Sequence, residues 1–271
     1  MKKIFLIFSA IILMVCAGCS DKPATPSADN KPPVTIAVID TGFSTAAIPQ
    51  QNIVTGKNYL DENLDTEDTY GHGTAIASVI LARYPDARLV PLVSNAYDDG
   101  KIIQVENDVL AQMIVDAVDI YHCDIINISA GIILDKDSIC DAVRYAEENN
   151  VLVVASVGND YADYGTTKYY PAAYDTVLAV GSVNKKGTEI SAFSQRGEWV
   201  DIYICGEDIT IGTLSGNTRT SKGTSFSAAK ITAIAAQIVA QSDTEISAEQ
   251  LREQIVGMAS KLADGTPYIA E

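Results

Sequence analysis

Asp40, His72 and Ser225 are the side chains of this sequence whose types and settings best suit proton transfer. Asp40 closes the apolar run VTIAVIDTG (34–42), so it follows a strand-like segment directly, with Gly42 letting the chain turn away. Asp-Thr-Gly serves two chemistries. In one, paired carboxylates share a proton and activate water; in the other, a single carboxylate steadies a histidine. The chain holds two histidines, so the search for a base that titrates near neutral pH is short. His72 lies between glycines in YGHGT (70–74) and opens the apolar helical run AIASVIL, whereas His122, in DIYHCDIIN, reads as a structural or surface residue. Ser225 belongs to KGTSFSAA (222–229), where a loop delivers it to the first turn of a long helix. A serine there is most often a helix cap. Thr224 and Ser221 could cap equally well, however, and the glycine before them answers no capping need.

Residues so far apart in sequence meet only if strands carry them to one edge of a sheet. Strand-like apolar runs cover Val34–Ile39, Arg88–Val93, Asp124–Ser129, Val151–Ser156 and Thr176–Val183. Helical patterns fall at Gly73–Arg83, Asn107–Tyr121 and Asp137–Asn149. Two further helices follow at Thr224–Ala240, with an Ile231, Ile234 and Ile238 stripe, and at Ser247–Met258. Runs such as VLVVAS are apolar on both faces, as strands of a covered parallel sheet must be. The βαβ alternation predicts an α/β fold, an open and mostly parallel sheet with helices on both faces. Sites in such folds gather at the carboxyl ends of strands, where Asp40 stands.

The composition, 271 residues with 47 % apolar and 20 % charged, is that of a globular protein. A net charge of −16 argues against nucleic acid and anionic lipid surfaces as partners. The N-terminal 1–19 segment reads as a signal peptide: Lys2 and Lys3, then an apolar stretch Ile4–Val15 too short for a comfortable membrane span. It ends in Cys16-Ala17-Gly18-Cys19, similar to a bacterial lipobox, although Cys16 stands where Leu is usual. Lipidation of Cys19 would anchor an exported protein to the outer side of the cell membrane; simple cleavage would release it. Residues 20–33 (SDKPATPSADNKPP) read as a disordered tether, and 34–271 as the folded domain. Cys123, Cys140 and Cys205 allow at most one internal disulfide and read better as small buried hydrophobes.

The motifs VIDTG, GHGTAIAS and GTSFSAA, in the order Asp, His, Ser, resemble those of the subtilisin-like serine proteases, the subtilases. The resemblance runs from about Val34 to Gln241. It implies a serine endopeptidase acting on peptides or proteins through Asp40, His72 and Ser225. ASVGND (155–160) is similar to the block whose asparagine completes the oxyanion hole, which makes Asn159 that residue. NISAG (127–131) resembles the strand end that binds substrate backbone, implying Ser129, Ala130 and Gly131 as one edge and 99–101 as the other. Ala155, Ser156 and Tyr169 are implied as walls of the specificity pocket. There Tyr169 would fill the floor and favour small side chains, or Asp160 and Asp163 would attract Lys and Arg. A single Asp-Thr-Gly lacks the second carboxylate that paired-acid chemistry requires, so Asp40 takes the orienting role.

The sequence also departs from the family. Ala75 stands where many relatives have a second histidine, and Phe226-Ser227-Ala228-Ala229 replaces Met-Ala-Ser-Pro. No cofactor is implied; relatives often bind calcium, but no calcium site is readable. Asp61, Asp65, Glu67 and Asp68 read as a solvated charge run. A sizeable propeptide and a closing Gly-rich strand and helix are not readable either, so folding would proceed unaided or with a propeptide or chaperone in trans. The rival expectation is a non-catalytic binding or scaffold lipoprotein that retains the fold.

Overall fold

Apolar segments with the strand period pair edge to edge, and those with the helical period cover the faces they form. The computed structural model describes residues 32–98 and 100–271. The signal segment, Cys19 and the tether up to residue 31 lie outside the described residues, as does Asp99. The strands are β1 (Thr35–Asp40), β2 (Lys57–Asn58), β3 (Arg88–Val93), β4 (Asn95–Asp98), β5 (Lys101–Gln104), β6 (Ile125–Ile128) and β7 (Leu152–Ser156). They continue with β8 (Val177–Val183), β9 (Ile202–Cys205), β10 (Ile209–Gly212), β11 (Thr218–Ser221), β12 (Ser260–Lys261) and β13 (Pro267–Ile269). The helices are α1 (His72–Arg83), α2 (Asn107–Asp119), α3 (Asp137–Glu148), α4 (Tyr161–Tyr164), α5 (Thr224–Gln241) and α6 (Ala248–Gly257).

Among the described residues, nine strands form one sheet in the order β12-β13-β9-β8-β7-β6-β1-β3-β2. Only the β12–β13 pairing is antiparallel. Alternation along β1 sends Ile36 and Val38 into a core shared with α1, α5 and α6, and Ala37 and Ile39 into the core beneath α2 and α3. Both faces are therefore covered, as the doubly apolar strands predict. Two antiparallel hairpins, β4–β5 and β10–β11, stand apart from the sheet.

The predicted strands and helices are found with ends moved by one or two residues. Four sheet strands carried no readable period: β2, β9, β12 and β13, none longer than four residues. The stripe expected on α5 understates it. From Thr224 to Ala236 every residue but Lys230 is buried, because this alanine-rich helix runs between α1 and the sheet. Cys123, Cys140 and Cys205 are unpaired, with Cys123 buried.

Candidate active site

The carboxyl end of β1 delivers Asp40 at 2 % exposure. Its Oδ1 accepts the Thr41 N–H at 2.8 Å, and His72 Nδ1 lies 2.8 Å from Oδ1 and 2.9 Å from Oδ2. His72 is the first residue of α1, so the placement of that helix decides the pair. Gly73 N–H donates to Thr41 Oγ1 at 2.8 Å, and a Cβ on Gly73 would run into the Gly42 carbonyl oxygen. Only glycine lets the helix start press this closely against the strand end.

Asp68 completes the mount, and here the solvated-charge expectation fails. Asp68 is 4 % exposed. Its Oδ1 accepts the Tyr70 and Gly71 N–H groups, and its Oδ2 accepts the Thr74 N–H and hydroxyl at 2.9 and 2.7 Å. The carboxylate thus satisfies donors that a helix start leaves open, and its charge suits that end of the helix. Asp68→Asn is expected to destabilise the fold by about 2–3 kcal/mol, since an amide would turn its own N–H groups against two of these donors. Urea unfolding of the two proteins measures the difference. The other acids are also engaged: Asp61 by the Asn63 N–H, Asp65 by the Glu67 N–H, and Glu67 by the Thr45 N–H. No group of three or more His, Cys, Asp and Glu side chains arranged to hold a metal occurs among the described residues.

The His72 side chain is 30 % exposed. Burial alone would lower its pKa, but the Asp40 charge and hydrogen bond, with the Asp68 charge behind them, outweigh it and raise the ring above its ordinary value. With Nδ1–H donating to Asp40, Nε2 becomes the acceptor of the neutral ring.

Ser225 is the second residue of α5 and 6 % exposed. It lines one cavity of about 360 Å³ together with His72, Asn159, Gly223 and Phe226. No hydrogen bond links the Ser225 hydroxyl to His72 in this structure; such bonds commonly tighten only when substrate is bound. The Phe226 ring, where relatives have Met, packs against His72 with centroids 6.2 Å apart.

Neither Thr224 nor Ser221 caps α5. Its N-cap, Gly223, makes no side-chain bond. The acceptor comes instead from Asn159, whose Oδ1 takes the Thr224 N–H at 2.8 Å and the Thr224 hydroxyl at 3.0 Å. Because a backbone N–H can only donate, these bonds fix the amide orientation and leave Nδ2 free to donate.

Ser129, Ala130 and Gly131 run along the rim after β6, Ser129 half-buried and the other two exposed. Thr232 of α5 donates to the wholly buried Asn127, which donates to Ser129 Oγ at 3.2 Å, so α5 also braces this edge. Ala155 is wholly buried, its side chain packed in the core beneath α2 and α3. Ser156 is buried too. Tyr169 is half-buried and donates to Asp160 Oδ2 at 3.2 Å, while Asp160 and Asp163 are exposed. Of the opposite edge, Lys101 opens β5 and Asp99 lies outside the described residues. His122 is exposed in a left-handed turn (φ 47°) and takes no part in the cavity.

Fold and site together define an α/β protein with an Asp–His pair, a serine and an asparagine amide gathered at the carboxyl edge of a parallel sheet. The chain belongs to the Subtilase family, whose model matches residues 31–268. It is 31 % identical over 245 residues to the Thermophilic serine proteinase of Bacillus sp. (strain AK1), covering 86 % of this chain but only 58 % of that protein. It is 30 % identical to Subtilisin Savinase of Lederbergia lenta, over 87 % of this chain and 86 % of that one. Among solved structures, the S41 Psychrophilic Protease superposes with a TM-score of 0.72 at 27 % identity, covering 84 % of this chain and 83 % of that one.

Proposed function

We propose that this protein is a serine endopeptidase that cuts peptide bonds through an acyl-enzyme, with Asp40, His72 and Ser225 as its catalytic residues. One observation carries the reading: His72, held by Asp40 from behind, lines a single cavity with Ser225 and Asn159. As the Ser225 Oγ–carbon bond forms, His72 Nε2 takes the hydroxyl proton and the carbonyl electron pair moves onto oxygen. Collapse of that intermediate breaks the C–N bond, and the leaving amine takes the proton from His72. Water then repeats the sequence, with the same base, to release the acid and restore the hydroxyl. Asp40 holds the tautomer and stabilises the imidazolium. The oxyanion is held by Asn159 Nδ2 and by the Ser225 N–H in the first turn of α5, where the helix dipole favours negative charge.

Fluorophosphonate labelling of the purified chain tests the reading. Absence of labelling from well-folded protein would point to a binding or scaffold role, and labelling that persists in Ser225→Ala would remove Ser225 as the nucleophile. Asn159→Ala is expected to lower kcat by roughly 10²- to 10³-fold with little change in KM, since the amide meets charge only in the transition state. Steady-state peptide hydrolysis measures both.

The N-terminal pattern supports export and anchoring through a lipid on Cys19, with the peptidase domain facing outward. No helix among the described residues is long and apolar enough to cross a membrane. Incorporation of a palmitate analogue, lost in Cys19→Ser, is the outcome expected of the anchored form.

A further inference from the structure

The cavity that holds Ser225 and His72 has one wall that the catalytic steps leave unused. The β10–β11 hairpin supplies it. Strand alternation puts Arg219 and Ser221 on one face of β11, and Ile211, the cross-strand partner of Arg219, lines the same cavity. Lys222 joins them where the chain leaves β11 for Gly223. The floor is apolar, since Ala75, Ile211 and Phe226 line the cavity and are all buried.

The charge of this wall runs against that of the chain. Net charge is −16, yet an arginine, a lysine and no carboxylate line the cavity. Arg219 and Lys222 are both exposed. The ion pairs of the described residues engage Lys57, Arg83, Lys185, Lys230 and Arg252, and leave these two cations without an acid. Lys222 Nζ stands instead 5.8 Å from the centre of the Phe193 ring. Cations of one sign in a cleft concentrate anions beside it.

Proton delivery says which part of a substrate meets this wall. His72 gives its proton to the departing amine, so the chain beyond the cut bond leaves on the His72 side of Ser225. Tyr70 and Gly71, which lead into His72, line the cavity, whereas Ser129, Ala130, Gly131 and Tyr169 do not. We propose that Arg219 and Lys222 form a carboxylate-binding subsite on the leaving-group side, favouring Glu, Asp or a free chain end at the first or second position after the cut bond. The inference rests on the peptidase reading. A glutamate matches both features of the wall: its methylenes suit the apolar floor, and its carboxylate suits the guanidinium fork of Arg219.

Acyl transfer from p-nitrophenyl acetate tests the subsite apart from any acyl-side preference. A dipeptide amine resolves the acetyl-enzyme: its nitrogen bonds to the acetyl carbon, the Ser225 Oγ–carbon bond breaks, and His72 carries the amine proton to Oγ. This is acylation in reverse, so the amine must occupy the leaving-group side. Glu-Ala amide is expected to give roughly 5- to 10-fold more acetylated product than Gln-Ala amide, after subtraction of an enzyme-free control. Ala-Ala is compared with Ala-Ala amide in the same way. A preference in the first pair assigns the subsite to an acidic side chain, and one confined to the second assigns it to the chain end. Either preference should shrink in 1 M salt, where screening acts within about 3 Å. Replacing both cations, Arg219→Gln with Lys222→Gln, should bring the ratios close to unity, and Arg219→Glu should favour Lys-Ala amide. Ratios close to unity in the unmodified chain, or unchanged in the double variant, overturn the inference and leave the peptidase reading intact. Absence of Ser225-dependent nitrophenol release from folded chain overturns the peptidase reading and this inference with it.

Discussion

Replacing Ser225 with Ala is expected to lower kcat by on the order of 10⁶-fold and to abolish fluorophosphonate labelling, with the fold left intact. The site explains both halves of the expectation. Ser225 sits in the first turn of α5, and its hydroxyl neither caps the helix nor bonds to His72. Truncating it therefore strands no partner, and alanine is the residue a helix accepts most readily. The melting temperature should move by no more than a few degrees, so lost activity reports lost chemistry. His72→Ala should cost about as much, and the double variant hardly more, because a base without its nucleophile has nothing to deprotonate. Peptide hydrolysis together with thermal unfolding checks all three. A Ser225→Ala protein that keeps a tenth of its activity would remove Ser225 from the mechanism.

The sequence exposed the parts of this site that lie on regular elements. Asp40 could be read because a long apolar strand ends at it, and His72 and Ser225 because glycines and helical periods flank them. Asn159 came through the resemblance of its block, and the structure adds what that block does locally: it caps α5 from outside. What stayed hidden depends on distant partners. Asp68 looks like its neighbours Asp65 and Glu67 until the chain folds and four donors close on one of the acids. The α5 stripe of Ile231, Ile234 and Ile238 understated the burial, because a helix buried on nearly all sides has little amphipathic period to display. Strands as short as β2 and β12 owe their existence to the partner beside them rather than to any alternation of their own. Tyr169 could be suspected from position, but that its ring lies close to both Gly131 and Gly158 shows only in the fold.

Asp40→Asn is expected to lower kcat by roughly 10⁴-fold while nearly preserving the geometry, and to move the acid limb of the pH profile downward. The asparagine amide would donate to His72 Nδ1, so the ring proton would shift to Nε2 and the ring could no longer accept from Ser225. The direction of the pH effect follows from the balance on His72. In the unmodified protein burial lowers the ring's pKa, and Asp40, with help from Asp68, more than reverses it. Only the neutral ring is a base, so kcat/KM should rise with pH through an apparent pKa above the ordinary value of about 6.5. Without the Asp40 charge, burial prevails, and the residual activity should rise through a lower pKa. Stability runs the opposite way. A pKa raised by folding stabilises the folded state fully below about 6.5 and loses that contribution as pH climbs through the folded value. The melting-temperature gap between the unmodified protein and Asp40→Asn should therefore be wider at acidic than at alkaline pH. The form of the Asp40–His72 pair that best holds the fold is the protonated one, and catalysis needs the other. Acid limbs that coincide in the two proteins would mean that Asp40 does not set the charge state of His72, whatever the two distances between them.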